Sequence, residues 1–119
     1  MNPEELKKRT RQFALRVIRL CASLPRTAVG VVIGKQLLRA GTSVGANYRA
    51  ACKARSAAEF ASRMGIVEEE ADECGYWIDL LVESGAMTRE KVGALHKEAT
   101  ELVAIAAASR KTSRVRGTR

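Results

Sequence analysis

The sequence predicts an all-α protein, an antiparallel up-down-up-down four-helix bundle. Three observations carry that expectation. Apolar residues recur at alternating three- and four-residue steps through four separate segments. Each segment opens on a residue able to cap a helix, and no stretch shows the two-residue alternation of a half-buried strand. At 119 residues the chain is long enough for one core, and its 4% aromatic content leaves that core to Leu, Val, Ile and Ala.

The first helix is expected over about residues 3–24. Asn2 can cap it, Pro3 suits the first helical position, and Glu4 and Glu5 sit at the positive end of the dipole. Leu6, Thr10, Phe13, Val17, Leu20 and Leu24 form one face, and Pro25 ends the helix. Thr27 caps a second helix over about 28–54, whose apolar face reads Ile33, Leu37, Ala40, Val44 and Ala51. Ser56 and Glu59 make a capping box for the third, over about 57–84. Its seam is Phe60, Met64, Val67, Ala71, Cys74, Ile78 and Leu81, closed at Ser84-Gly85 by a left-handed glycine. Thr88 caps the fourth, over about 89–109, with Val92, Leu95, Ala99, Leu102 and Ala106 as its seam. One domain, residues 1–109, thus precedes a basic tail, 110–119, that is expected to be mobile because the periodicity dissolves there.

Helix 2 carries Gly30, Gly34, Gly41 and Gly45 on one stripe. Each costs about 1 kcal/mol relative to alanine in a helix interior. Their spacing points to close approach of a neighbouring helix, and the scarcity of wet surface on helix 2 suggests burial against a second subunit as well. The four glycines, with Glu69, Asp72 and Glu73, are therefore the expected oligomer interface.

Charge is segregated along the chain. Residues 6–58 hold twelve Lys and Arg and no acid, residues 59–101 hold eleven acids against four bases, and the last eighteen residues add five bases. The net charge is +8 and the pI about 9.9, so an acidic partner is expected, nucleic acid foremost. Unlike faces meeting between protomers would be heterologous and would close into a ring.

The stretch QLLRAGTSVGANYRAACKARSAAEF, with MGIVEEEADECGYWIDLL after it, resembles the four-helix-bundle proteins encoded in 23S rRNA intervening sequences. These are similar to the accessory protein of diversity-generating retroelements. Gln36, Arg39, Ser43, Asn47 and Tyr48, together with Glu70, Asp72, Glu73 and Trp77, carry the resemblance, which is close over helices 2 and 3. It implies a homopentameric barrel with a positive surface and, by way of the retroelement relatives, a reverse transcriptase and nucleic acid as partners. The Arg-rich C-terminus is not part of the resemblance.

No catalytic constellation is visible, and the chain is expected not to be an enzyme. A di-iron bundle needs Glu-x-x-His from two helices, yet there is one histidine, His96, and position 93 is glycine. No cofactor or metal is expected. His96 reads as a surface residue and Tyr76 and Trp77 as core or interface packing. Gln36, Ser43 and Asn47 form a polar stripe that either grips a ligand or, the favoured reading, makes interhelical hydrogen bonds to Glu70 or Asp72. Cys21, Cys52 and Cys74 are too widely spaced to pair and read as buried reduced thiols. With no signal peptide and no long apolar run, the expected compartment is the cytoplasm, with no membrane partner.

The functional expectation is a non-enzymatic homo-oligomeric scaffold that holds RNA or DNA by phosphate contacts. Its contacts would be Arg9, Arg16, Arg19, Lys35, Arg39, Arg49, Lys53, Arg110, Lys111, Arg114, Arg116 and Arg119. The alternative is a protein–protein adaptor whose charge segregation serves only assembly and recruitment.

Overall fold

The computed structural model describes residues 1–117 and contains four helices and, among those residues, no strand. They are α1 (Pro3–Ala22), α2 (Ala28–Cys52), α3 (Ala57–Glu83) and α4 (Arg89–Gly117). The bundle measures 51 × 22 × 20 Å. Each helix packs on its neighbours in sequence, and the α4–α1 seam that closes the bundle is the thinnest of the four.

The helix starts follow from capping chemistry. The Asn2 side chain accepts from the Glu5 N–H at 2.8 Å, Thr27 from the Gly30 N–H at 3.1 Å, and Ser56 from the Glu59 N–H at 3.0 Å. Glu59 reaches back to the Arg55 N–H at 2.9 Å, one residue beyond the usual reciprocal partner. At the end of α3 the chain turns at Gly85, whose φ of +82° is a conformation that a Cβ would strain.

Contacts run antiparallel throughout. Thr10 and Val17 of α1 lie by Gly45 and Gly41 of α2, and Leu24, in the turn after α1, lies by Gly34. On α3 and α4, Ala57 meets Ser113, Glu68 meets Arg110 and Asp79 meets His96. Phe13 and Val17 from α1, Leu37 and Val44 from α2, Met64, Ile78 and Leu81 from α3, and Val92 and Leu102 from α4 fill the core. The buried Thr10 hydroxyl is satisfied by the Leu6 carbonyl at 2.9 Å.

Departures from the expected seams are local. Leu20 is half-buried at the α1–α4 groove, and Leu24, beyond the end of α1, is half-buried against Gly34 of α2. On α3 the buried residue at the first turn is Ala61, with Phe60 packed beside the core. Tyr48 joins the core, and burial raises its hydroxyl well above the usual tyrosine range.

Two larger features depart from the expected picture. The four glycines pack against α1 and the α1–α2 turn of their own chain. A Cβ at Gly41 would stand 2.7 Å from Val17 Cγ1, one at Gly34 3.0 Å from Leu24 Cδ1, and one at Gly45 3.3 Å from Thr10 Oγ1. At Gly30 it would run into the Pro25 carbonyl oxygen. The stripe therefore seats α1 and the α1–α2 turn of the same chain, and it gives no reason to bury α2 a second time. Nor does the helix end near Ser109. It continues to Gly117, with Arg110 bonded to Glu68 at 2.9 Å and the Ser113 hydroxyl donating to the Ala57 carbonyl at 2.9 Å. The seam persists beyond Ala106 through a polar residue, Ser113, which apolar periodicity alone does not register.

Candidate nucleic-acid interface

Helix geometry sorts the cations into two populations. Arg9, Arg39 and Arg110 pair with carboxylates of neighbouring helices, Arg39 on the exposed surface. Arg9 donates to both Glu98 oxygens at 2.7 Å and to Glu101 at 2.7 Å, tying α1 to α4. Arg39 donates to Glu70 at 3.2 Å and to Glu73, tying α2 to α3, and the Trp77 indole donates to the same Glu73 at 3.2 Å. The hydrogen bond from Arg9 holds Glu98 below the usual carboxylate range, and the hydrogen bond to Glu98 raises Arg9 in turn. Glu73, expected between subunits, thus belongs to an internal ion pair. These three arginines, expected as phosphate contacts, each pair with a carboxylate of another helix of the same chain.

The second population has no carboxylate within 4 Å among the described residues: Arg16, Arg19, Lys35, Arg49, Lys53 and Lys111, together with Lys8, Arg11, Arg26, Arg63, Lys91 and Lys97. All are exposed except the half-buried Arg16. Arg114 and Arg116 lie on the backbone of α4 with side chains outside the description, and Arg119 lies outside the described residues.

Lys8, Arg11 and Arg49 converge on one groove of about 620 Å³ between α1 and α2. Small residues (Thr10, Ala14, Thr42, Gly45 and Ala46) line it and leave space between the helices. Lys7 and Glu4 also line it and pair with each other at 3.3 Å. The groove thus has a small-residue floor and three uncompensated cations around it, an arrangement suited to phosphate oxygens. Composition does not single out Lys8 and Arg11. The available signal is their place on the outer side of α1, opposite the seam of Leu6, Thr10, Phe13 and Val17.

Other expected sites resolve differently. The Asn47 amide donates to the Ser43 carbonyl at 2.9 Å and hydroxyl at 2.8 Å, and Gln36 accepts from Arg39, so these residues bond within α2 rather than across to α3. Glu69 and Asp72 are exposed, with no basic group within 4 Å among the described residues. His96 is half-buried rather than on the open surface, 3.2 Å from Asp79, whose carboxylate also accepts from Arg89 at 2.9 Å. Burial alone would raise Asp79, but hydrogen bonds from Arg89 and His96 bring it below its ordinary value. Tyr76 is exposed and meets half-buried Trp77 edge-on at 5.1 Å. Of the cysteines, Cys74 is buried and pushed up to about 12 chiefly by burial, Cys21 is half-buried, and Cys52 is exposed, contrary to expectation. No helix among the described residues is long and apolar enough to cross a membrane, and no cluster there has the ligands to hold a metal.

Among curated proteins, none matches the chain significantly. A crystal structure of a protein of unknown function from the S23 ribosomal protein family of Bacteroides thetaiotaomicron superposes with a TM-score of 0.86. It is 34% identical over 93% of this chain and 99% of that one. The model of the 23S rRNA-intervening sequence protein family matches residues 4–108, all but the ends of the bundle just described. With both fold and sequence in agreement over nearly its whole length, the chain belongs to the 23S rRNA-intervening sequence protein family.

Proposed function

We propose that this protein is a non-enzymatic scaffold that binds nucleic acid by its phosphates, with the α1–α2 groove as the principal contact. The observation that carries this reading is the convergence of Lys8, Arg11 and Arg49 on one groove while Arg9, Arg39 and Arg110 are consumed in ion pairs. Cations that the fold does not use for its own cohesion are free to replace the counterions of a polyanion. Lys35, Lys53 and Lys111 extend the positive surface. The family's connection with intervening sequences of 23S rRNA makes RNA the first ligand to try.

The scaffold is proposed to act as a homo-oligomer in the cytoplasm. Exposed Ile18, Val31 and Leu38 supply an apolar surface on α1 and α2, and exposed Glu69, Asp72 and Glu83 supply an acidic one on α3. A pentameric ring and recruitment of a reverse transcriptase are what likeness to retroelement accessory proteins suggests. The same apolar surface favours the second reading, an adaptor that recruits a protein and binds no nucleic acid.

A filter-binding titration of RNA and DNA between low and physiological salt separates the two. The scaffold reading expects binding at low salt that weakens steeply as salt rises. No binding at low salt, or a flat response, leaves the adaptor.

A further inference from the structure

A second groove, of about 420 Å³, opens at the thin α1–α4 seam on the opposite side of α1. Its construction differs from the first. Arg16, Arg19 and Lys91 stand around it without a carboxylate within 4 Å among the described residues, but its floor is apolar, made by the half-buried Leu20 and Met87 over the fully buried Val92. Glu98 feels the Arg16 charge from farther along α4, yet both of its oxygens are taken by Arg9. Of the α4 residues that line the groove, Lys91 and the small Ala94 are exposed, while Val92 and Leu95 are buried behind them.

Resting on the phosphate-binding reading above, we propose that this groove receives an unpaired nucleotide, so that the preferred ligand is single-stranded. A phosphate alone has no use for a floor of Leu and Met. A nucleotide presents both an anion for Arg19 and Lys91 and a flat, weakly hydrated base for the floor. The Met87 thioether is suited to the face or edge of a ring. A duplex keeps its bases stacked inward and offers such a groove only its backbone, whereas a single strand can turn a base out. The two grooves are compatible with one strand. Arg11 and Arg19 are eight residues apart on α1, about 12 Å at helical rise, so a chain crossing that helix meets cations on both sides.

The test uses fluorescence anisotropy with three labelled probes of equal length: a single-stranded DNA, the same strand with base-free tetrahydrofuran sugars, and the duplex. The single strand is expected to bind several-fold more tightly than the base-free strand, because the groove removes apolar surface of the base from water. Ala94→Gln, an uncharged filling of the groove at an exposed helical position, is expected to erase that difference. Met87→Ala should reduce it, and Arg49→Gln should weaken all three probes while leaving it intact. Equal binding of the base-free and normal strands overturns the proposal, as does a difference that survives Ala94→Gln, or a duplex that binds as tightly as the single strand. Failure of every probe to bind at low salt instead removes the phosphate-binding reading itself, and this proposal with it.

Discussion

Gly41 of α2 lies directly against Val17 of α1, so that a Cβ at position 41 would stand 2.7, 2.8 and 2.9 Å from the three branched carbons of that valine. Val17 is fully buried and β-branched, so it has no alternative rotamer into which to retreat. Gly41→Ala should gain about 1 kcal/mol of helix propensity and lose about 1–3 kcal/mol to overpacking, for a net loss of stability. Gly93→Ala on α4 is the control: a Cβ there would meet nothing within 4 Å, and the change should stabilise by about 0.5–1 kcal/mol. Urea melts of the two variants against the parent measure both signs.

The helices, caps and most core positions are legible in the sequence because each rests on local chemistry. Asn2, Thr27 and Ser56 cap through residues three positions away, and the 4-3 rhythm of α3 from Met64 to Leu81 needs no distant partner to be read. The site is less legible because a cation's role depends on what stands across from it. Arg9 and Arg11 are two residues apart on one helix, about 200° in rotation. One faces Glu98 and Glu101 of α4 and the other faces an open groove. Composition treats them alike. The glycine stripe marks a place of close approach, but one sequence does not say whether the approaching helix comes from its own chain.

Loss of Ser113 should weaken the far end of the bundle. Its hydroxyl ties α4 to the first turn of α3, so Ser113→Ala is expected to cost about 1 kcal/mol. Truncation after Ser109 removes the Arg110–Glu68 pair as well and uncovers the groove lined by Ala57 and Phe60, and it should cost more than the single change. Thermal melts of both should show that order. Equal stability of the truncated and full chains would contradict a structured C-terminal turn.

The Arg9–Glu98 tie should be sensitive to acid. Glu98 is held below its ordinary range in the folded chain, first by the Arg9 hydrogen bond. Its contribution is therefore complete above the unfolded carboxylate pKa and disappears as pH falls through the lower folded value. Glu98→Gln should cost about 1–2 kcal/mol at neutral pH. The gap between variant and parent should begin to narrow near pH ~4–5, where an unfolded glutamate starts to titrate, and should close at lower pH. Denaturant titrations at several pH values measure it. A gap that widens on acidification contradicts the assignment.

The central claim is that cations left unused by the fold, and not basicity in general, hold the ligand. Its most direct test is the salt slope of RNA affinity in Arg11→Gln/Arg49→Gln compared with Arg39→Gln. The double variant should lower affinity at low salt and reduce the log–log slope by about 2, one unit per lost phosphate contact. Arg39→Gln, which breaks the tie to Glu70 and Glu73, should reduce stability and leave the slope of the folded protein unchanged. Equal slopes for the parent and the double variant, or a slope reduced only by Arg39→Gln, would contradict the account.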